Sequence, residues 1–189
     1  MGQQNNDNMI FRFIGNHIGE YSIASQVTIT GLSLPRTNYL SISTVENNIP
    51  QEINFDSWVI DGIKSNLRYT TQKEKIELES STGSNFSRSY ISCMIPIKKS
   101  DAWWNLAQDE RREIIEEQSK HFSIGLKYMQ AIERTLYHSK DLNQAFDFVT
   151  WFNFYPENES LFNELVHALR ESLEWTFVTR EIDFRMFKK

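Results

Sequence analysis

AIERTLYHSKDLNQAFDFVTWFNF, residues 131–154, reads as two strands joined by a polar turn. In AIERTLYHS the residues Ile132, Arg134 and Leu136 alternate onto one face, and in FDFVTWFNF so do Phe146, Phe148, Thr150, Phe152 and Phe154. KDLNQ between them has the composition of a connection, so the pair reads as a hairpin. Its apolar faces need a cover. A guanidinium on such a face is costly unless an anion or a hydrogen-bond acceptor meets it, so Arg134 calls for a partner.

Working outward, SYISCMIPIKK precedes the hairpin as a strand, and a helical region starts at Asp101, a candidate N-cap, and takes in QDERREIIEEQSK. Gly125 is expected to interrupt or end that region near His121. After the hairpin, NESLFNELVHALRESLE carries Leu161, Leu165, Leu169 and Leu173 at four-residue spacing with Phe162 and Val166 beside them, an amphipathic stripe. TFVTREIDFRMF reads as a closing strand. Residues 89–189 therefore follow the order β-α-β-β-α-β, that of a ferredoxin-like half. Residues 1–88 show strands at 9–15, 20–32 and 37–44, a loop at 46–57, a Ser-rich connection at 81–89 and a polar start with little to bury. These read as a reduced N-terminal half that extends or mirrors the sheet.

The chain has 189 residues, 40% hydrophobic and 13% aromatic, enough for a substantial apolar interior. A net charge of −5 and no basic stripe argue against a nucleic-acid partner. No apolar run approaches the ~20 residues of a membrane span, and MGQQNNDNMI lacks the marks of a secretory signal, so a cytoplasmic protein is expected. Cys93 is the sole cysteine, which excludes an intrachain disulfide and the Cys-pair metal motifs; it reads as a buried structural thiol.

Of the four histidines, His17 and His167 read as structural and His138 as a hydrogen-bonded surface residue beside a turn. His121 stands where the helical region gives way, after Glu116 and Glu117. A satisfied core histidine is the common case for such a position. The sequence has no HExxH and no second histidine within a turn, so a bare catalytic zinc or iron is poorly served; haem iron, by contrast, asks the protein for a single axial histidine. Haem would also account for the hairpin, because a flat apolar macrocycle packs on a phenylalanine wall while its open iron face gains from one polar group. The plain alternative is a Phe-rich core.

Glu174, among Leu173, Trp175 and Phe177, is either a solvated helix-end carboxylate or the group that orients an axial imidazole. Lys99 could neutralise it, although adjacent lysines commonly face solvent. Trp103 and Trp104 adjoin, so on a helix they point about 100° apart and occupy different niches, core or porphyrin edge.

AWWNLAQDERREIIEEQSKHFSIGLKY, RTLYHSKDL, FDFVTWF and FNELVHALR together resemble the chlorite dismutases, in particular their short, dimeric branch with a reduced N-terminal half. The resemblance implies an α+β fold of two ferredoxin-like halves, antiparallel sheets with helices packed on them in the dimeric α/β barrel manner. One haem b per subunit would sit in the C-terminal half. His121, thirteen residues before Arg134, matches the proximal ligand and Arg134 the distal arginine. Glu174 matches the carboxylate that hydrogen-bonds the proximal histidine, and Lys99 its basic neighbour. Tyr69, Trp103, Trp104, Thr150, Phe152 and Leu165 match residues around the haem. A homodimer that converts chlorite to chloride and dioxygen is implied, with Arg134 attracting the anion and holding the transient chlorine species.

Two other readings stand beside it. Coprohaem decarboxylases and peroxidase-like proteins share the fold, but the decarboxylases carry tyrosine where this chain has Ile95 before Pro96, and some have glutamine at the place of Arg134. A non-catalytic ferredoxin-like binding module would use the Phe face only as core.

Overall fold

The hairpin at 131–154 is present, its two strands antiparallel with Arg134 opposite Phe152 and Ile132 opposite Phe154. A computed structural model describes residues 9–45, 56–64, 71–73, 76 and 90–189. Tyr69, the polar start before residue 9, the 81–89 connection and most of the 46–57 loop lie outside the described residues.

The fold is α+β. Among the described residues there are eight strands: β1 (Ile10–Asn16), β2 (Tyr21–Thr30), β3 (Tyr39–Thr44), β4 (Trp58–Lys64), β5 (Ile91–Lys99), β6 (Ile132–His138), β7 (Phe148–Phe154) and β8 (Val178–Lys188). They close into a barrel in the order β1-β3-β2-β8-β5-β7-β6-β4, antiparallel at every pairing. Closure removes the exposed edges an open sheet would present. The sequence reading assigned β4 no element. Asp61 interrupts the apolar run of WVIDGIK, and that charge is met across the ladder by Arg12, which lies opposite it and bonds both carboxylate oxygens at 2.8 Å.

Strand alternation divides the apolar residues into two cores. Phe13, Leu40, Trp58, Met94, Trp151 and Phe184 fill the barrel interior. Gly15 lets the Trp58 indole lie against β1, since a Cβ there would come within 2.1 Å of that ring. On the outer face of β5, β6 and β7, Cys93, Ile95, Ile132, Phe148, Phe152 and Phe154 form a second cluster under the helices. Cys93 is fully buried there, and burial pushes its thiol pKa up. Phe146 departs from the expected Phe face. It precedes β7, where the Asp147 peptide bonds sideways to Ile97, Ser139 and Lys140, and its ring enters the interior core under the Arg180 guanidinium.

The helices are α1 (Asp101–Asn105), α2 (Gln108–Arg112) running into a π-helical turn at Glu113–Gln118, α3 (His121–Leu126) and α4 (Glu159–Arg170). Ser100, not Asp101, is the N-cap of α1. Its hydroxyl accepts the Trp103 N–H at 3.3 Å, while Asp101 takes the first turn, where its charge suits the helix dipole. The break also falls earlier than Gly125. Lys120 adopts a left-handed φ of 55°, His121 opens α3, and Gly125 lies within it. The Glu116 carboxylate stabilises this restart by accepting the Phe122 N–H at 2.8 Å and the Ser123 hydroxyl.

In α4, Phe162, Leu165, Val166 and Leu169 are buried on the outer core. At about 1.5–3 kcal/mol per large apolar side chain, that burial outweighs the marginal stability of so short a helix alone. Leu173 lies beyond its end and is exposed, so the apolar stripe stops at Leu169. Among the described residues no helix is long and apolar enough to cross a membrane.

Candidate active site

The period of two along three neighbouring strands builds the floor of a cavity on the outer face of the sheet. Ile95, Ile97 and Lys99 come from β5, Arg134 and Leu136 from β6, and Phe148, Thr150 and Phe152 from β7. Helices α3 and α4 and a 3₁₀ turn at Leu173–Phe177 provide the roof, contributing His121, Phe122, Leu169 and Glu174. The space is about 890 Å³, counting its open mouth. An adjoining lobe of about 460 Å³, lined by Leu126, Met129 and Leu165, shares His121, Arg134 and Phe152 with it. Cavities of this size and apolar lining suit a large flat organic group.

Three residues that the sequence keeps far apart meet at the roof. His121 Nδ1 lies 2.7 Å from Glu174 Oε2, and the Lys99 ammonium donates to Glu174 Oε1 at 2.9 Å and to the Glu174 carbonyl at 3.2 Å. Ser119 accepts the Glu174 backbone N–H at 2.9 Å. Lys99 is 2% exposed and Glu174 5%, so Lys99 is no solvated surface residue. Burial opposes the charge of both. It lowers the Lys99 pKa below 10.5 against the pull of Glu174; on Glu174 it acts upward, but His121 and Lys99 outweigh it and hold the carboxyl at about 2.

The sign of the pH dependence follows. A carboxylate whose folded pKa lies below its ordinary 4.5 adds stability in full above that pH and loses it as the pH falls toward 2. Glu174→Gln, which also strands the buried Lys99 charge, is expected to cost about 3–5 kcal/mol near neutrality. Urea unfolding at stepped pH should show that gap closing below pH 4.5; a gap that stays constant through this acid range counts against the buried pair.

Arg134 stands on the floor, lining both lobes. Among the described residues it makes no hydrogen bond and no ion pair. Half-buried among apolar walls, and with the Glu174 charge acting the other way, it has its pKa drawn from 12.5 down to about 10, which leaves it cationic at neutral pH. It is a cation aimed into an apolar space with no protein anion against it. Physical chemistry expects such a group to await an anionic or polar ligand.

The remaining expected residues separate. Trp103, 1% exposed, lines the cavity with its ring 4.3 Å from the Lys99 ammonium. Trp104 turns away to donate its indole N–H to Asp147 at 3.0 Å and stacks on the cavity residue Phe148. Thr150, Phe152 and Leu165 all line the space. Tyr69 lies outside the described residues.

Other lining residues escaped the sequence reading. His138 is buried, not superficial, and sits edge-on to Phe148 on the cavity side of β6. Trp175, Arg170 and Glu181 line the roof and rim. One signal for Glu181 lay in TREIDFR, where charges at 181, 183 and 185 alternate with Ile182 and Phe184, placing charge on the face a helix must cover.

These residues fit an iron porphyrin. Among the described residues no three His, Cys, Asp or Glu side chains gather as a metal set, so a bare ion lacks donors, whereas a macrocycle brings four of its own. His121 could supply a fifth. With Nδ1 held by Glu174, Nε2 is the nitrogen open to a metal, and the carboxylate makes the imidazole a stronger donor.

A family model described as chlorite dismutase matches residues 24–188. The chlorite dismutase of Ideonella dechloratans is 30% identical over 111 residues, which are 57% of this chain and 37% of that protein. The match thus spans well under half of that relative. A crystal structure of dimeric chlorite dismutases from Nitrobacter winogradskyi superposes with a TM-score of 0.82 at 40% identity, covering 93% of this chain and 98% of that one. A chlorite dismutase variant from Candidatus Nitrospira defluvii, 20% identical, matches in fold with a TM-score of 0.67 over 99% of this chain and 92% of its own.

Proposed function

The chain belongs to the chlorite dismutase family, and from that premise we propose that it is a haem b enzyme that converts chlorite to chloride and dioxygen. The observation that carries this reading is the Lys99–Glu174–His121 chain placed on the same cavity as the unpartnered Arg134. The atoms of the reaction balance without a further reactant: both oxygens of chlorite leave as dioxygen and the chlorine leaves as chloride.

Haem, when bound, would supply redox-active iron. The protein's own part is to hold, charge and enclose. His121 would hold the iron, its ring kept in one tautomer by donating Nδ1–H to Glu174. Lys99 compensates the Glu174 charge, so the carboxylate stays ionised in a buried site and goes on accepting that proton's hydrogen bond. Arg134 attracts the chlorite anion and keeps its chlorine-containing fragment in place until the O–O bond forms, through charge and position and with no proton transferred. Thr150, Phe152 and Leu165 border the reacting space, and Trp103 packs the roof beneath Lys99. Trp104 and Tyr69 belong to the cofactor's surroundings in this reading.

Each half is proposed to follow the ferredoxin-like plan, 1–88 and 89–189. The order β8-β5-β7-β6, with helices in both crossovers, supports this for the second half, and β4-β1-β3-β2 repeats the order in the first. The likeness to a dimeric relative supports a homodimer.

The test is direct. Purified protein titrated with haem is expected to develop a Soret band saturating at one haem per subunit, and the loaded protein to release dioxygen mole for mole with chlorite at an oxygen electrode. Coprohaem given peroxide is expected to stay intact, in keeping with Ile95 on the cavity floor. Failure to take up haem would return the fold to a binding module, and haem uptake with coprohaem decarboxylation would reassign the reaction.

A further inference from the structure

A hydrogen bond to one ring nitrogen holds a point of an imidazole and does not by itself set the plane of the ring. His121 is held at Nδ1 by Glu174. Its plane meets a second group: the indole of Trp175, next in sequence to Glu174, stacks on it with centroids 6.4 Å apart and planes 23° from parallel. Offset stacking at this separation is favourable and resists ring rotation.

Trp175 is itself held from behind. Its Nε1–H donates to Glu181 Oε2 at 2.8 Å. Glu181 is fully buried, and its other oxygen accepts two bonds from the Arg170 guanidinium, at 2.8 and 2.6 Å. Arg170 bonds Asp183 as well, at 3.1 Å. The Lys99 ammonium lies 5.6 Å from the Trp175 ring, on the side where it already serves Glu174. A carboxylate taken wholly out of water is dear, and apolar residues of like volume would serve stability as well or better. Its use is in fixing direction: an indole bonded at Nε1 cannot turn about its own axis.

On the reading that His121 is the axial ligand of haem, we propose that Trp175 is a positioning residue whose indole sets the plane of the His121 ring, with Glu181 and Arg170 as its anchor. Glu174 governs the electron donation of the imidazole. Trp175 governs its azimuth. The two arms share the roof yet act on different properties of one side chain, so they separate by spectroscopy.

The experiment uses haem-loaded protein. In Trp175→Leu the ferric electron paramagnetic resonance signal is expected to broaden into several rhombic components, one for each ring orientation now allowed. The iron–histidine stretch of the ferrous form should keep the parental frequency, because the Glu174 bond remains. Trp175→Phe, which keeps a flat ring but loses the N–H, is expected to recover much of the single signal, and Glu181→Gln, which keeps an acceptor, to broaden it less than Trp175→Leu. Should Trp175→Leu fail to fold, the latter two variants carry the comparison, each expected to broaden the signal modestly at an unshifted stretch. Parental resonance spectra throughout the series would overturn the proposal, as would a fall in the stretch as large as that of Glu174→Gln, which would mean that Trp175 acts through the carboxylate. A parent protein that takes up no haem overturns this inference and the functional reading together; a parent with haem bound through His121 and indifferent Trp175 variants overturns this one alone.

Discussion

His121→Ala is expected to lose its hold on haem. Outer groups around a metal ligand commonly cost 10–100-fold in affinity when removed, and deleting the ligand itself should exceed about 100-fold. The other histidine lining the cavity, His138, comes from the sheet floor and lies edge-on to Phe148. The measurement is competitive transfer of haem to an apoglobin, with the Soret region recorded alongside. A faster transfer and an altered ferric spin state are the expected results. A variant with the parental spectrum and parental transfer rate would remove His121 as ligand, and with it the purpose assigned to Glu174 and Lys99.

Arg134→Ala is expected to leave haem bound and damage the chemistry. Loss of one preorganised charged donor typically costs about 10²–10³-fold in rate, and a drop of that size in kcat/KM for chlorite is expected here. Because Arg134 is proposed both to attract the anion and to retain its fragment, two readouts should move together: KM should rise, and hypochlorite escaping to a chlorination trap should increase as the yield of dioxygen falls. Arg134→Lys keeps a point charge without the planar fork, so it should recover part of the KM effect and less of the yield. Full dioxygen yield and unchanged hypochlorite escape in Arg134→Ala would show that the cation takes no part in the reaction.

How much of this was legible beforehand differs from element to element. The β6–β7 hairpin, β5, β8 and α4 stand out in the sequence because their alternation or four-residue spacing is nearly unbroken over a whole element. β4 does not, since Asp61 interrupts its apolar run and its charge makes sense only beside Arg12, 49 residues away. Phe146 was given to the wrong face because alternation was continued two residues before the strand begins, across a peptide whose hydrogen bonds leave the ladder. The restart at Lys120 was read at Gly125, for a left-handed φ on a lysine has no signal in composition; the Glu116 carboxylate that supports it lies a turn upstream.

The site shows the same division. His121 and Arg134 could be singled out as residue types out of keeping with their surroundings; Glu174 and Lys99 could be set beside His121 only against a solvated alternative, and the family resemblance then favoured the pairing. Trp175, Glu181 and Arg170 passed unnoticed because each is ordinary where it stands; only their mutual bonds, at 2.6–2.8 Å, make them a unit.

By itself the sequence determined the elements whose pattern runs unbroken and which side chains share a face within them, since backbone geometry imposes periods of 2 and 3.6 on any apolar pattern. It also determined which charges were out of place on those faces. Closing the barrel decided the rest: that the Phe face looks outward beneath helices and not into the barrel, and that Lys99, His121 and Glu174 meet. Those meetings join residues 53 and 75 positions apart, and contacts at such separations are set by packing and by the need to pair each buried charge, which no local pattern records.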